Sequence, residues 1–521
     1  MLKKYTFLTW VVAMITASFV EDEGCNIISE INEIEISGLE ENYNCVTGED
    51  VLTITPEIKG SLSGTDESNL EYEWFLCNKK DVTDDHSHEV IGRERNLSYE
   101  VTAAPSSYSL YFSVKDKTTD LKWEVSTNFN IVSRFVRGFY LFGDKEDGNV
   151  GLDFVSMIEG RDKFVVENIL NNDLMLKGAK DIVFTGDYLQ DTNTRLWAFT
   201  ESGACRVEHN SVLPSFNLLP EASDPEMLFF PSVQVIKPYN IVGLYPHAYG
   251  KANTDMSKST RFMLTENQIF CGSITSGEAY GNPINRYSSS AKEFYKPSKY
   301  VFYKPSTYIT GFVFYDEDNK CFGRVNTNPA YGVTHTVKLS NGASFNWDQT
   351  QYEAVRDLVY GENGYGNAGR SYALMKDTNG DYFVYIFTVA SYASVTAHAE
   401  RSIDLSVATA FGEADHYAFY SMQPVLLYAA DTKLYAYDYA RNECKLVKDF
   451  GAEITHLAMD CCSNNDYSHI IVATYDETEK GTVYGYTIED NQNAINVTPV
   501  EGEEWHTDLK VAKVEYRNSP L

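Results

Sequence analysis

Along "LTITPEI" (52–58) and "YSLYFSV" (108–114) apolar residues fall at every second position, the pattern of a strand with one dry face and one wet face. The same texture runs through "EINEIEIS", "LEYEWFL" and "KWEVSTNFNIV", so residues 30–133 are predicted to form an immunoglobulin-like β-sandwich. Trp74, in "YEWFL", is its expected central core residue. After "SRFVRG" (133–138) the pattern changes to paired short strands separated by a polar turn, starting at "FYLFGDKEDGNVGLDFV" (139). Related segments begin at 196, 261, 312, 372, 426 and 470, on average about 55 residues apart.

That spacing suits blades of four strands arranged radially, which also leave few exposed strand edges. A β-propeller of about seven blades is therefore predicted over 138–521. In such blades both strand faces are buried, so runs such as "LLYAADTKLYAYDY" (426–439) are apolar or aromatic almost throughout. The alternation in "LKVAKVEY" (509–516) predicts a last strand that closes the ring against residues 139–155.

Composition changes this picture little. The 37 Tyr, 28 Phe and 6 Trp describe a folded chain with aromatic cores. Net charge does add something: −31 repels phosphate backbones and anionic headgroups, so no nucleic-acid partner and no membrane binding through the bulk surface are expected. Lys3 and Lys4, the run "YTFLTWVVAMI" and small residues 16–18 have the order of a signal peptide (1–18), followed by a linker (19–29). The expected location is the periplasm or cell surface. Nine sparse cysteines do not suggest a disulfide framework, and Cys461 with Cys462 is read as two packed thiols.

Candidate chemistry is thin. "DDHSHE" (84–89) gathers zinc-type ligands but reads as a solvated loop, and "DEDNKCFG" (316–323) and "DTNGD" (377–381) read as tight turns rather than calcium loops. "SSAK" (289–292) has S-x-x-K spacing without its companion motifs. No catalytic residue, cofactor or metal is assigned. One segment stands out: "RYSSSAKEFYKPSKYVFYKPSTY" (286–308) is basic and aromatic in an acidic chain. Tyr295, Tyr300 and Tyr303 are its candidate stacking residues, with Lys296 and Lys304 to meet ligand carboxylates; the competing reading is an inter-blade connection packed on the propeller.

The first-domain stretches, "RGFYLFGDKEDGNVGLDFV", "ITGFVFYDEDNKCFGRV" and "ADHYAFYSMQPVLLYAADTKLYAYDY" together resemble the PKD-like family lipoproteins of Bacteroidetes. The resemblance implies a PKD-like sandwich followed by a propeller. It also implies a non-enzymatic envelope protein working beside an outer-membrane uptake system for peptides or glycans. The order "TASFVEDEGC" departs from the family's lipid-bearing cysteine: Phe19 stands at that place, and Asp22, Glu23 and Gly24 precede Cys25. Two other functions fit an all-β chain of this kind: a propeller hydrolase or lyase using scattered carboxylates, and a scaffold for a partner protein.

Overall fold

The computed structural model describes residues 31–62, 67–79, 88–187, 190–209, 215–247, 260–273, 278–305, 312–325, 335–390, 394–461, 463, 467–489 and 495–518. The predicted signal peptide, the linker with Cys25, most of "DDHSHE" and Cys462 lie outside these residues. The chain divides into two compact units, the second running from Asn130 onward and also taking in Asn44–Asp50 and Glu100–Ser107.

The N-terminal region is a β-sandwich. Its main sheet orders strands Asn42–Val46, Lys122–Val132, Ser106–Asp116, Leu70–Asn78 and His88–Gly92, with two smaller two-stranded sheets pairing Ile34–Ser37 with Glu57–Gly60 and Val51–Ile54 with Leu97–Glu100. Trp74 has no exposed surface, stacks on Phe112 at 4.2 Å and donates its indole N–H to the Glu94 carbonyl at 3.0 Å. Four of these strands, 42–46, 57–60, 88–92 and 97–100, are too short to show a period in sequence. His88 and Glu89 sit on one of them, so the acidic histidine cluster runs into a strand and is not wholly a loop.

The remaining strands form seven four-stranded sheets, the blades of the propeller. Blade 2 is built from Ala179–Asp187, Gln190–Thr200, Gly203–Val207 and Leu218–Leu219; blade 3 starts at Ile241–Tyr245, blade 4 at Pro297–Phe302, blade 5 at Arg356–Asn363, blade 6 at His416–Tyr420 and blade 7 at Glu453–Asp460. Each predicted hairpin is the middle pair of a blade, as with Val425–Ala430 and Lys433–Asp438 in blade 6. Apolar clusters fill the seven spaces between neighbouring blades. The period of two explains how one strand serves two spaces: Leu426, Tyr428 and Ala430 pack toward blade 5, whereas Val425, Leu427 and Ala429 pack toward blade 7. Each fully buried Leu of this kind stabilises by roughly 1.5–3 kcal/mol.

Aspartates open the turns. Asp316 accepts the N–H groups of Asp318 and Asn319, both at 2.9 Å, and Asp377 accepts those of Asn379 and Asp381, also at 2.9 Å. The calcium-like spelling is thus turn chemistry.

Blade 1 closes the ring. Its strands Arg137–Asp144, Val150–Ser156 and Phe164–Val166 come from the start of the propeller, and its innermost strand, Lys510–Asn518, comes from the C-terminal end. Phe139 pairs with Tyr516 and Leu141 with Val514. At Gly143 the closing backbone approaches so closely that a Cβ would lie 2.3 Å from the Lys510 carbonyl oxygen. Innermost strands meet in chain order around the ring, and that of blade 7 meets the closing strand.

Candidate functional site

The five residues singled out in sequence do not form a site together. Tyr295 is 5% exposed, its hydroxyl 2.8 Å from Thr336 Oγ1, and Tyr303 is 6% exposed in the core between blades 3 and 4. Neither ring offers a face to a ligand, which corrects the stacking expectation for both. Lys296 is exposed and paired with Glu317 at 2.9 Å, and Lys304 is half-buried beside Gly369. The segment is mostly inter-blade packing, because Pro297–Phe302 is itself the innermost strand of blade 4. Tyr300 differs: it is half-buried and meets Tyr360 of blade 5 edge to face at 5.4 Å.

Two clusters missed in sequence gather buried charge on the propeller. The first lies where blade 7 meets blade 1. Asp460 and His469 are cross-strand partners, with His469 Nδ1 2.7 Å from Asp460 Oδ2 and Nε2 2.6 Å from Glu503 Oε2. Lys163 pairs with the other Glu503 oxygen, and the Ser463 hydroxyl donates to Asp460. Burial works against the imidazolium, yet the two carboxylates outweigh it and raise His469 to about 9. The cluster borders a cavity of about 690 Å³ that Arg137, Ser468 and Thr487 also line. Because both ring nitrogens donate, His469 has no lone pair with which to act as a base. This seam is a satisfied ionic clamp.

The second cluster is built on the innermost strands. Along the closing strand, Val514 and Tyr516 enter the seam core, so Lys513, Glu515 and Arg517 lie on the opposite face. Lys513 Nζ is 3.5 Å from Asp181 of blade 2. Glu515 accepts the Phe184 N–H at 3.3 Å and lies 3.3 Å from His247 Nδ1, just after blade 3's first strand. From blade 5, Glu362 accepts the Tyr360 hydroxyl at 3.2 Å and the Phe419 N–H of blade 6 at 2.7 Å. Tyr245 of blade 3 donates to the Lys299 carbonyl at 2.8 Å. In blade 7, His456 is 7% exposed and its Nε2 has no hydrogen-bond partner.

Asp181, Tyr245, His247, Tyr300, Tyr360, Glu362 and Lys513 retain partial exposure although they lie on the inner rim of the ring, so they line its central channel. Their electrostatics are unbalanced. Lys513 is surrounded by Asp181, Glu515 and Glu362, and these carboxylates raise its pKa despite burial. Burial raises Glu362 to about 7, against the lowering effects of the Phe419 N–H, the Tyr360 hydroxyl and Lys513. His456 is held neutral by burial, with Lys513 and His416 adding repulsion.

Residues 20–177 match the sequence model of the PKD-like family. No curated protein matches the chain. Among solved structures, a quinonprotein alcohol dehydrogenase-like protein from Bacteroides thetaiotaomicron is similar at 13% identity and a TM-score of 0.37, over 94% of this chain and all of that one. An extracellular domain from the same organism is 10% identical, with a TM-score of 0.33, over 92% of this chain and 64% of its own. The WD40 domain of SCAP from fission yeast aligns over 62% of this chain and 75% of its own, at 10% identity and a TM-score of 0.28. No helix among the described residues is long and apolar enough to cross a membrane.

Proposed function

We propose that the protein is an exported, non-enzymatic binding protein of the cell envelope, which presents its propeller channel to a peptide or glycan for an outer-membrane uptake system. One observation carries the reading: in the channel cluster Lys513 faces several carboxylates and His456 Nε2 has no hydrogen-bond partner, whereas at the seam His469, Lys163, Asp460 and Glu503 pair with one another. Glu362 beside Lys513, the unpartnered Nε2 of His456 and the rings of Tyr300 and Tyr360 supply charge, hydrogen bonding and a stacking surface, the ingredients of a recognition site. In neither cluster does a hydroxyl or thiol donate to a histidine positioned as its base, so binding is favoured over conversion.

The test is a calorimetric screen of peptides and neutral and acidic oligosaccharides, repeated on Tyr300→Ala. A ligand whose affinity falls by roughly 1–2 kcal/mol in the variant, while its melting temperature stays near that of wild type, supports the channel. Turnover of a bound compound during the titration would instead favour the hydrolase or lyase reading.

A further inference from the structure

The channel gathers carboxylates around the Lys513 ammonium, with His247 against Glu515 and Arg517 on the same face of the closing strand. Asp181, Glu362 and Glu515 all act on Lys513, which touches the first at 3.5 Å. Around Glu362 the titratable and charged groups are Tyr360 on its own strand, Tyr372 on the next strand of blade 5, Lys513 on the closing strand and, one ring further out through Tyr360, Tyr300 of blade 4 and Tyr245 of blade 3. Blade 6 supplies only a backbone N–H, that of Phe419. Arg370 acts on Tyr372 from the same strand, and Lys513 is the cation that acts on Glu362 itself.

A neutral imidazole accepts a hydrogen bond at one nitrogen, and His456 Nε2 is a buried ring nitrogen with no partner, on a strand whose neighbours bring Lys513 and His416 toward it. Leaving such a group unpaired is unfavourable, so a ligand donor that reaches it recovers the loss. Tyrosine faces attract cations. Carboxylates, an imidazole acceptor and aromatic rings thus share one preference, for positively charged N–H donors.

We propose that the channel takes its ligand by a protonated amine or guanidinium, seated among Asp181, Glu362 and Glu515, so that the ligand class is a basic peptide rather than a neutral glycan. The proposal rests on the channel reading above and narrows it. Its linkage follows from charge: in the free protein the Glu362 carboxyl keeps its proton until about pH 7, and an entering cation favours the ionised form. Binding therefore releases a proton below neutrality. Between pH 6 and pH 8 the ionised fraction of such a carboxyl rises about tenfold, and affinity should rise by up to the same factor.

The experiment titrates the full chain with lysyl-lysine, with its fully N-acetylated form and with a neutral tetrasaccharide. Each titration is run at pH 6 and pH 8 in two buffers of different ionisation enthalpy. The expected result is binding of lysyl-lysine alone, up to tenfold tighter at pH 8, with proton release at pH 6. In Glu362→Gln, checked for folding by its melting curve, proton release and pH dependence should both vanish. Equal binding of the acetylated peptide or the saccharide, weakened by Tyr300→Ala, would overturn the cationic ligand and keep the channel. Binding that Tyr300→Ala and Glu362→Gln both leave unchanged, or no binding by any probe, would overturn both.

Discussion

The seam and the channel bury similar chemistry and put it to opposite uses. At the seam, His469 and Lys163 stand against Asp460 and Glu503, each charge in contact with its opposite. In the channel, Lys513 faces an excess of carboxylates and His456 has an idle nitrogen. Matched buried charge holds blades together, because removing one partner strands the other. Unmatched charge persists only where water or a ligand reaches it, and that is what makes the channel the better candidate for recognition.

The strongest way to break both at once is truncation after Asp508. It removes the strand that pairs with Arg137–Asp144 and with it Lys513, Glu515 and Arg517. The two exposed edges should make the product aggregate, and a soluble monomer with the wild-type melting temperature by size exclusion and calorimetry would refute closure.

His469→Leu breaks the seam alone. It leaves Asp460 and Glu503 buried without their shared cation, and denaturant titration at pH 6 should show a loss of about 3–5 kcal/mol. The channel should still bind whatever the wild type binds.

A pH profile sharpens the contrast. His469 titrates at about 9 when folded against 6.5 for the free side chain, so its stabilisation is complete below pH 6.5 and is lost as pH rises through 9. That difference corresponds to about 3 kcal/mol. Asp460 and Glu503 are held below their ordinary values: burial works against this, but their bonds to His469 prevail. Their contribution is lost only in acid, and the seam is tightest between about pH 4.5 and 6.5. Glu362 runs the other way for a carboxylate: its folded value of about 7 lies above 4.5, so its ionisation destabilises as pH rises across that interval. Glu362→Gln should accordingly melt higher than wild type at pH 8 and like it near pH 4.

The smallest effect belongs to neither region. Lys296→Ala removes an exposed pair with Glu317 and should change stability by less than about 0.5 kcal/mol by the same titration.

Much of the fold was legible because a buried blade leaves a repeating trace: a period of two, an Asp-led turn and a second apolar run. All seven hairpins carry the two apolar runs, five of them with an Asp in the turn, and the closing strand carries the period of two. The channel left a weaker trace. "LKVAKVEY" shows charged residues at alternate positions, which reads as an ordinary wet face; only the closed ring turns that face inward toward Asp181 and Glu362. His456 and Glu362 sit in strands that precede the hairpins, where nothing in the local pattern separates an inner strand from an edge strand. Conversely the basic aromatic segment stood out by composition, yet Tyr295 and Tyr303 are apolar filling whose hydroxyl or backbone is bonded inside.

The pairing of Arg517 with Tyr140 joins residues 377 positions apart along the chain. Bringing such distant points together costs about 5 kcal/mol of chain entropy beyond a constant, so it is favourable only after the intervening blades have formed. Ring closure is then the last step of folding, and the charged rung of the channel comes into being with it. A chain threaded outward from its N-terminus can assemble blades 2 to 7 in turn while the channel still waits for Lys510–Asn518 to arrive.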